Sequence, residues 1–438
     1  MKRNHIGAGK SRIIAVPVAA LACWVFAAGM RMRPRFYAQP AHTVEAASAQ
    51  IAGRIQFSYG GNVAQVPAQI VDSLALVPVR VNGSQPSWFL LSTAQPVSAI
   101  DDVRAVAVGL YSPSAHGTLP KSFANVRLEF PGMRVSLPTL VLGSYGDLSS
   151  RIGHVVQGVL GADVLSRLIV EINYARESVR FYNPASFRYS GKGLRLPLTI
   201  AGGAPAISGK VAIPHRGDFR GLLAISTGET APLRFAPQFA EAHSLADLPI
   251  RTLPFPSPDA ATDTGFRERI GRIHELQFGK IKFTDPLAIF PANTRNRPKD
   301  KNASKSRSKM PVPMIGALGG AILDRFTLIL DFPGRQLIFE PNQHLPDLFL
   351  SDMSGLTIIA IPPAFDRFEV ARVEAKSPAA KAGVAVGDMI EQADGNPSSN
   401  YTLDELRALL REPGTTHTLT LLRNGKTFEV TLNLKPLV

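Results

Sequence analysis

The chain has 438 residues, 45% of them hydrophobic and 19% charged, so it can bury a sizeable core and is neither disordered nor collagen-like. Its single cysteine, Cys23, excludes an intrachain disulfide, a cysteine-based zinc finger and an iron–sulfur centre. The net charge is +14, but residues 1–35 and 294–310 carry thirteen of those charges. The nearly neutral remainder argues against a nucleic-acid partner, which needs cations spread over a folded face.

Lys2, Arg3, Lys10 and Arg12 precede an apolar run over residues 13–29. A basic start followed by a short apolar run reads as a secretory signal or an N-terminal membrane anchor over residues 1–35. Arg31, Arg33 and Arg35 follow the run and resist translocation, so both alternatives stay open. The expectation is an exported protein, periplasmic or anchored in the inner membrane and facing the periplasm. Residues 36–50 read as a linker.

From residue 51 the pattern has period two. Val77, Val79 and Val81 alternate with Pro78 and Arg80. Val126, Leu128 and Phe130 alternate likewise, turn at Pro131-Gly132, and resume as Met133, Val135 and Leu137. A repeat then emerges. Residues 158–167 match residues 316–325 at an offset of 158, and each copy runs on into strand, turn and strand. Upstream, the apolar residues 88–91 lead into Ser92-Thr93-Ala94, and residues 222–225 lead into Ser226-Thr227-Gly228, at an offset of 134. The predicted organisation is a first lobe over 51–188 and a second over 189–345. The second copy carries 24 extra residues, and the basic stretch 294–310 lies inside that excess as an exposed loop. It contains no aromatic residue, so base stacking is not expected; contact with anionic lipid or an acidic partner is the alternative to a merely solvated loop.

The duplicated element resembles the bacterial retropepsin-like aspartyl protease family. The resemblance rests on an apolar strand ending where that family has Asp-Thr-Gly, on Val159-Leu160-Gly161 and Ala317-Leu318-Gly319, and on Asp331-Phe332 with its first-copy equivalent Asn173-Tyr174. It implies a mainly β fold of two acid-protease-like barrel lobes around a cleft. It also implies that Thr93 and Thr227 tie one loop to the other.

The chain departs from the family at both catalytic positions, where serines, Ser92 and Ser226, replace the aspartates, and Ala94 replaces a glycine. Aspartic protease chemistry needs two adjacent carboxylates sharing one proton, and a serine hydroxyl neither ionises near neutral pH nor takes a proton from water. The scaffold reads as kept and the chemistry as lost, which leaves Ser92, Thr93, Ser226, Thr227 and Gly228 as the positions of a former active site. Asp101-Asp102 lie too far along the chain to substitute, and Asp163 and Asp331 read as solvated or capping carboxylates. His215 and His243 flank Ser226, but no Gly-x-Ser-x-Gly elbow exists. His274-Glu275 begins a zincin motif that Phe278 breaks, and the sequence calls for no metal or cofactor.

Residues 350–438 resemble a PDZ domain of the bacterial type. Gly355-Leu356-Thr357-Ile358 resembles its carboxylate-binding loop and strand. Ser377-Pro378 starts a short helix, Gly383 stops it, and Gly387-Asp388 turns the chain. Thr402-Leu403-Asp404-Glu405 is a capping box, and Asn424-Gly425 is a hairpin turn. The resemblance implies peptide binding by strand addition, with Ile358 and the Leu406 helix lining a side-chain pocket; a groove filled from within the chain is the alternative.

The combined expectation is an exported, catalytically inactive protein that binds an extended polypeptide or a protein C-terminus through the cleft and the PDZ groove. One alternative is an active aspartic-type endopeptidase using other residues or a partner-supplied aspartate. The other is a structural envelope protein. The oligomeric state stays open.

Overall fold

A computed structural model describes residues 53–112, 119–255, 268–290 and 312–438. The signal or anchor, the linker and the basic stretch 294–310 lie outside the described residues. Among the described residues, no helix is long and apolar enough to cross a membrane.

The protein is mainly β, as expected. In the first lobe, six strands pair in a closed ring: Leu74–Val81, Ser87–Leu91, Gly158–Leu160, Ala99–Asp101, Met133–Gly143 and Ser122–Phe130, which returns to the first. Leu74–Val81 shows why this sequence closes on itself. Ala75, Val77, Val79 and Val81 face the main core, as period-two alternation demands. Leu74 and Leu76 point the other way and are also buried, in a second cluster with Leu90, Ile152 and Val156. That outer cover comes from the helix Gly146–Ile152 and the residues after it. The hairpin Ser122–Phe130 and Met133–Gly143 alternates buried and exposed residues next to its turn, over Val126–Phe130 and Met133–Leu137.

The second lobe is a ten-stranded sheet built on the same plan. Gly217–Ile225 pairs in parallel with Met314–Leu318, just as Ser87–Leu91 pairs with Gly158–Leu160. Helices Ala162–Leu165 and Gly320–Leu323 follow at matching places in the two copies.

Reading the copies as two separate barrels misses one feature. Their final hairpins join in a single six-stranded sheet, with Ile169–Asn173 antiparallel to Phe326–Asp331 in the register Ile169↔Asp331 to Asn173↔Thr327. Phe326–Asp331 is buried along its whole length, as a strand in the middle of a covered sheet must be, whereas Ile169–Asn173 carries the half-buried polar residues Glu171 and Asn173 on one face. Phe339, Phe326 and Phe278 pack beneath it with ring centroids 4.9–6.3 Å apart.

The C-terminal domain has its own core, which includes Phe368, Ile390, Leu406, Leu419 and Leu432. The local signals read from the sequence form as expected. Ser377 caps helix Pro378–Lys381 through the Ala380 N–H at 3.1 Å. Thr402 and Glu405 make both bonds of the capping box. Asn424 and Gly425 have φ of 50° and 75°, the paired left-handed geometry of a two-residue hairpin turn.

Asp388 braces the turn before strand Met389–Ala393. It accepts from Arg423 Nε at 2.6 Å and Nη2 at 2.7 Å, and from the Ala385 N–H at 2.9 Å. Burial opposes ionisation, but those donors prevail and hold its carboxyl below the usual range. A depressed folded-state pKa gives stability that is present at neutral pH and lost only as pH falls through that low value. Asp388→Asn is therefore expected to lower the melting temperature at pH 7, with the gap to wild type closing only below about pH 4. A calorimetric pH series of the two proteins checks this.

Candidate functional site

Each Ser-Thr loop leaves an apolar strand that is tucked beside its Val-Leu-Gly or Ala-Leu-Gly partner. The Ser92 N–H donates to the Leu160 carbonyl at 3.0 Å, and the Ser226 N–H donates to that of Leu318 at 2.9 Å. The threonines then bind the loops to each other. Thr93 Oγ1 donates to the Ile225 carbonyl at 2.5 Å and accepts from the Thr227 N–H at 3.2 Å. Thr227 Oγ1 donates to the Leu91 carbonyl at 2.8 Å and accepts from the Thr93 N–H at 3.1 Å. Both threonines are fully buried, so every member of this four-bond ring is satisfied inside the protein. Gly228 completes the junction, because a Cβ there would sit 2.6 Å from Ser92 Oγ.

The structure thus brings Ser92, Thr93, Ser226, Thr227 and Gly228 together. Ser92 and Ser226 are each 8% exposed, and neither hydroxyl has a hydrogen-bond partner among the described residues. A serine nucleophile needs an adjacent base. The candidates named from the sequence are distant or engaged elsewhere. His215 lies in the turn before strand Gly217–Ile225, roughly 30 Å along the chain from Ser226. His243 packs on Phe219 and Phe239, with centroids 4.3 and 4.5 Å away. Asp101 caps helix Asp102–Ala107 and accepts from the Tyr145 N–H. Asp331 holds the turn of its own hairpin through Gly334 and Gln336. Asp163 is half-buried in the first turn of helix Ala162–Leu165: it accepts from the Val164 N–H at 3.0 Å and from the Ser98 hydroxyl and amide at 2.7 and 3.0 Å, and burial pushes its carboxyl up. No cluster of metal-ligating side chains occurs among the described residues.

The C-terminal domain departs from simple strand addition. Strand Leu356–Ala360 is an edge of its sheet. Helix Gly146–Ile152 of the first lobe packs against that strand. Arg407 Nη2 donates both to the Ile358 carbonyl at 2.9 Å and to the Arg151 carbonyl, at the end of that helix, at 2.6 Å. Leu403 sits against Gly153, where a Cβ would lie 2.7 Å away. The loop is also partly taken. The Gly355 N–H donates to Asp352 Oδ2 at 2.6 Å, and the Leu356 N–H donates to Ser354 Oγ at 3.1 Å. Burial pushes the Asp352 carboxyl up, against hydrogen bonds from Ser354 and Gly355 that favour its ionised form.

Gly355, Leu356, Thr357 and Ile358 line a cavity of about 880 Å³ that extends to Gly228 and Glu229 beside the second Ser-Thr loop. Leu406, expected at the pocket, is fully buried in the core of its domain and does not line this cavity. Arg151, Arg407 and Arg411 do line it, and sequence reasoning missed all three. The run Asp352-Met353-Ser354-Gly355 is a turn signal that could have announced the self-filled loop. No local signal marks Arg151, because its place depends on two distant elements meeting.

The PDZ domain family matches residues 369–423. No curated protein matches the chain. Among solved structures, a photosystem II D1 C-terminal processing protease is 26% identical with a TM-score of 0.18, covering 19% of this chain and 22% of that one. An aspartic proteinase from Irpex lacteus is 13% identical with a TM-score of 0.36, covering 66% of this chain and 99% of that one. Basic 7S globulin from soybean is 10% identical with a TM-score of 0.35, covering 66% of this chain and 97% of that one. The chain thus spans about a fifth of the processing protease and nearly all of the other two.

Proposed function

We propose that this chain is an exported protein that holds extended polypeptide without cutting it. It would use two lobes over 51–188 and 189–345 and a PDZ domain over 350–438. The observation that carries the reading is the pair of serine hydroxyls at the loop junction, neither of them hydrogen-bonded to a base. Without paired carboxylates, nothing there activates water. The intact threonine ring supports a scaffold maintained for shape. The PDZ domain supports peptide as the ligand class, and the shared cavity gives cleft and domain one common space. The basic start and apolar run of residues 1–35 support export.

The test incubates the purified full chain with a broad peptide library and reads products by mass spectrometry. No specific cleavage is expected. Specific cleavage lost in Ser92→Ala or Ser226→Ala would establish an active peptidase instead.

A further inference from the structure

We propose that the PDZ groove is closed by the chain itself: the first-lobe helix Gly146–Ile152 stands where an incoming strand would pair, and a peptide enters only when the PDZ domain is released. The inference rests on the polypeptide-binding reading and adds how that binding is regulated.

A strand added to a sheet edge lies about 4.8 Å from it, between the edge and the wall beside it. Here the edge is Leu356–Ala360, which pairs with Phe368–Val373 alone among the described residues. The wall is helix Leu403–Leu409, which carries Leu403 and Arg407. The first-lobe helix meets both. It packs against the edge strand. At its C-terminal end, Gly153 lies so close to the wall that a Cβ would come within 2.7 Å of Leu403 Cβ. Arg407 ties the three elements together. A single nitrogen, Nη2, donates to the Ile358 carbonyl on the strand at 2.9 Å and to the Arg151 carbonyl on the helix at 2.6 Å. The helix end thus occupies the space that a ligand strand needs, and a backbone acceptor of the edge is already engaged. Covering an exposed edge with a helix is also a general way to keep other strands from pairing with it.

A second first-lobe element holds the closed state. The Asp72 N–H, in the turn between Gln69–Val71 and Leu74–Val81, donates to Asp404 Oδ2 at 2.8 Å. The cavity of about 880 Å³ does reach Gly355–Ile358, but Leu148, Arg151 and Ile152 wall it as well, so its room along the strand ends at the same helix.

Docking and strand addition therefore compete for one place. A ligand that binds only the released form has its apparent affinity lowered by the fraction of chains released, and its binding draws the equilibrium toward release. Release also removes the PDZ wall of the cavity that reaches Gly228 and Glu229. Capture of a peptide by the PDZ domain thereby opens the side of the cleft at the second Ser-Thr loop.

The test uses the full chain and Gly153→Asn. Asparagine tolerates the left-handed φ of 70° at that position, so the helix end keeps its shape while the new side chain drives Leu403 away. No residue of the groove is changed. The probe is a degenerate heptapeptide pool with free C-termini, read by retention on immobilised protein and by hydrogen exchange. In the wild type, we expect the pool to protect residues 356–360 and to deprotect residues 146–152. In Gly153→Asn, we expect a larger radius of gyration before peptide is added and retention of the pool raised about tenfold or more. Protection of 356–360 with 146–152 unchanged overturns the inference, because helix and ligand then coexist. So does a variant that scatters as opened yet retains no more of the pool than wild type. No change at 356–360 in either protein overturns it too. Polypeptide binding then stands if residues 92–94 and 226–228 gain protection, and falls if no peptide is retained. Should the variant fail to open or to fold, read by scattering and by Trp88 fluorescence on melting, exchange in the wild type decides alone.

Discussion

Thr93→Val is expected to destabilise the protein by about 2–4 kcal/mol, and Thr227→Val by a similar amount, because each strands two buried backbone groups. Valine keeps the shape of threonine, so packing changes little. In Thr93→Val, the Ile225 carbonyl loses its donor and the Thr227 N–H loses its acceptor. Thr227→Val does the same to the Leu91 carbonyl and the Thr93 N–H. Neither site admits water as a replacement, since both threonines are fully buried. The four bonds form one ring, so the double variant should cost less than the two single losses combined. Thr93→Ser, which keeps the hydroxyl, should stay within about 1 kcal/mol of wild type. Urea unfolding followed at Trp88, on strand Ser87–Leu91 leading into the first loop, reads the effect. A valine variant as stable as wild type would mean that the ring does not hold the lobes together.

How much of this was legible in the sequence depends on whether the causes were local. Alternating valines and leucines announced the strands, and the duplicated Gly-Val-Leu-Gly and Gly-Ala-Leu-Gly runs announced two equivalent copies. The capping box at Thr402 and the turn at Asn424 formed where the residues placed them, because a cap or a tight turn is decided within a few residues. The shared six-stranded sheet was not legible. Ile169–Asn173 and Phe326–Asp331 read equally well as strands inside separate barrels, and only their mutual pairing distinguishes the two arrangements. The threonine ring was anticipated through family resemblance rather than through chemistry, since no property of Thr93 alone points to Thr227. The PDZ groove shows the limit most sharply. Ile358 and Leu406 looked like pocket walls on local pattern. Leu406 is taken up by its own domain's core, and the surroundings of Ile358 are decided by Arg407 and by a first-lobe helix more than two hundred residues upstream.

Arg407→Ala should open that contact between the PDZ domain and the first lobe, at a cost of about 2–4 kcal/mol in docking free energy. Its guanidinium joins the Arg151 carbonyl to the Ile358 carbonyl and lies beside Asp72 and Asp404. Removing it leaves two carbonyls without their donor and two carboxylates facing each other without their cation. The remaining tie, from the Asp72 N–H to Asp404 Oδ2 at 2.8 Å, then works against that repulsion. The two domain cores are separate clusters, so the PDZ domain should stay folded as it swings away. Small-angle scattering should show a larger radius of gyration for the variant at pH 7. The pH dependence follows from Asp404, whose carboxyl is pushed up by burial and by Asp72. A carboxyl with a raised pKa in the docked state takes up a proton on docking, so docking strengthens as pH falls through that value. The variant's excess radius should therefore shrink as the pH is lowered from 7 towards the ordinary aspartate range, about pH 4. An Arg407→Ala protein that scatters like wild type at both pH values would show that the helix, and not this guanidinium, holds the domain in place.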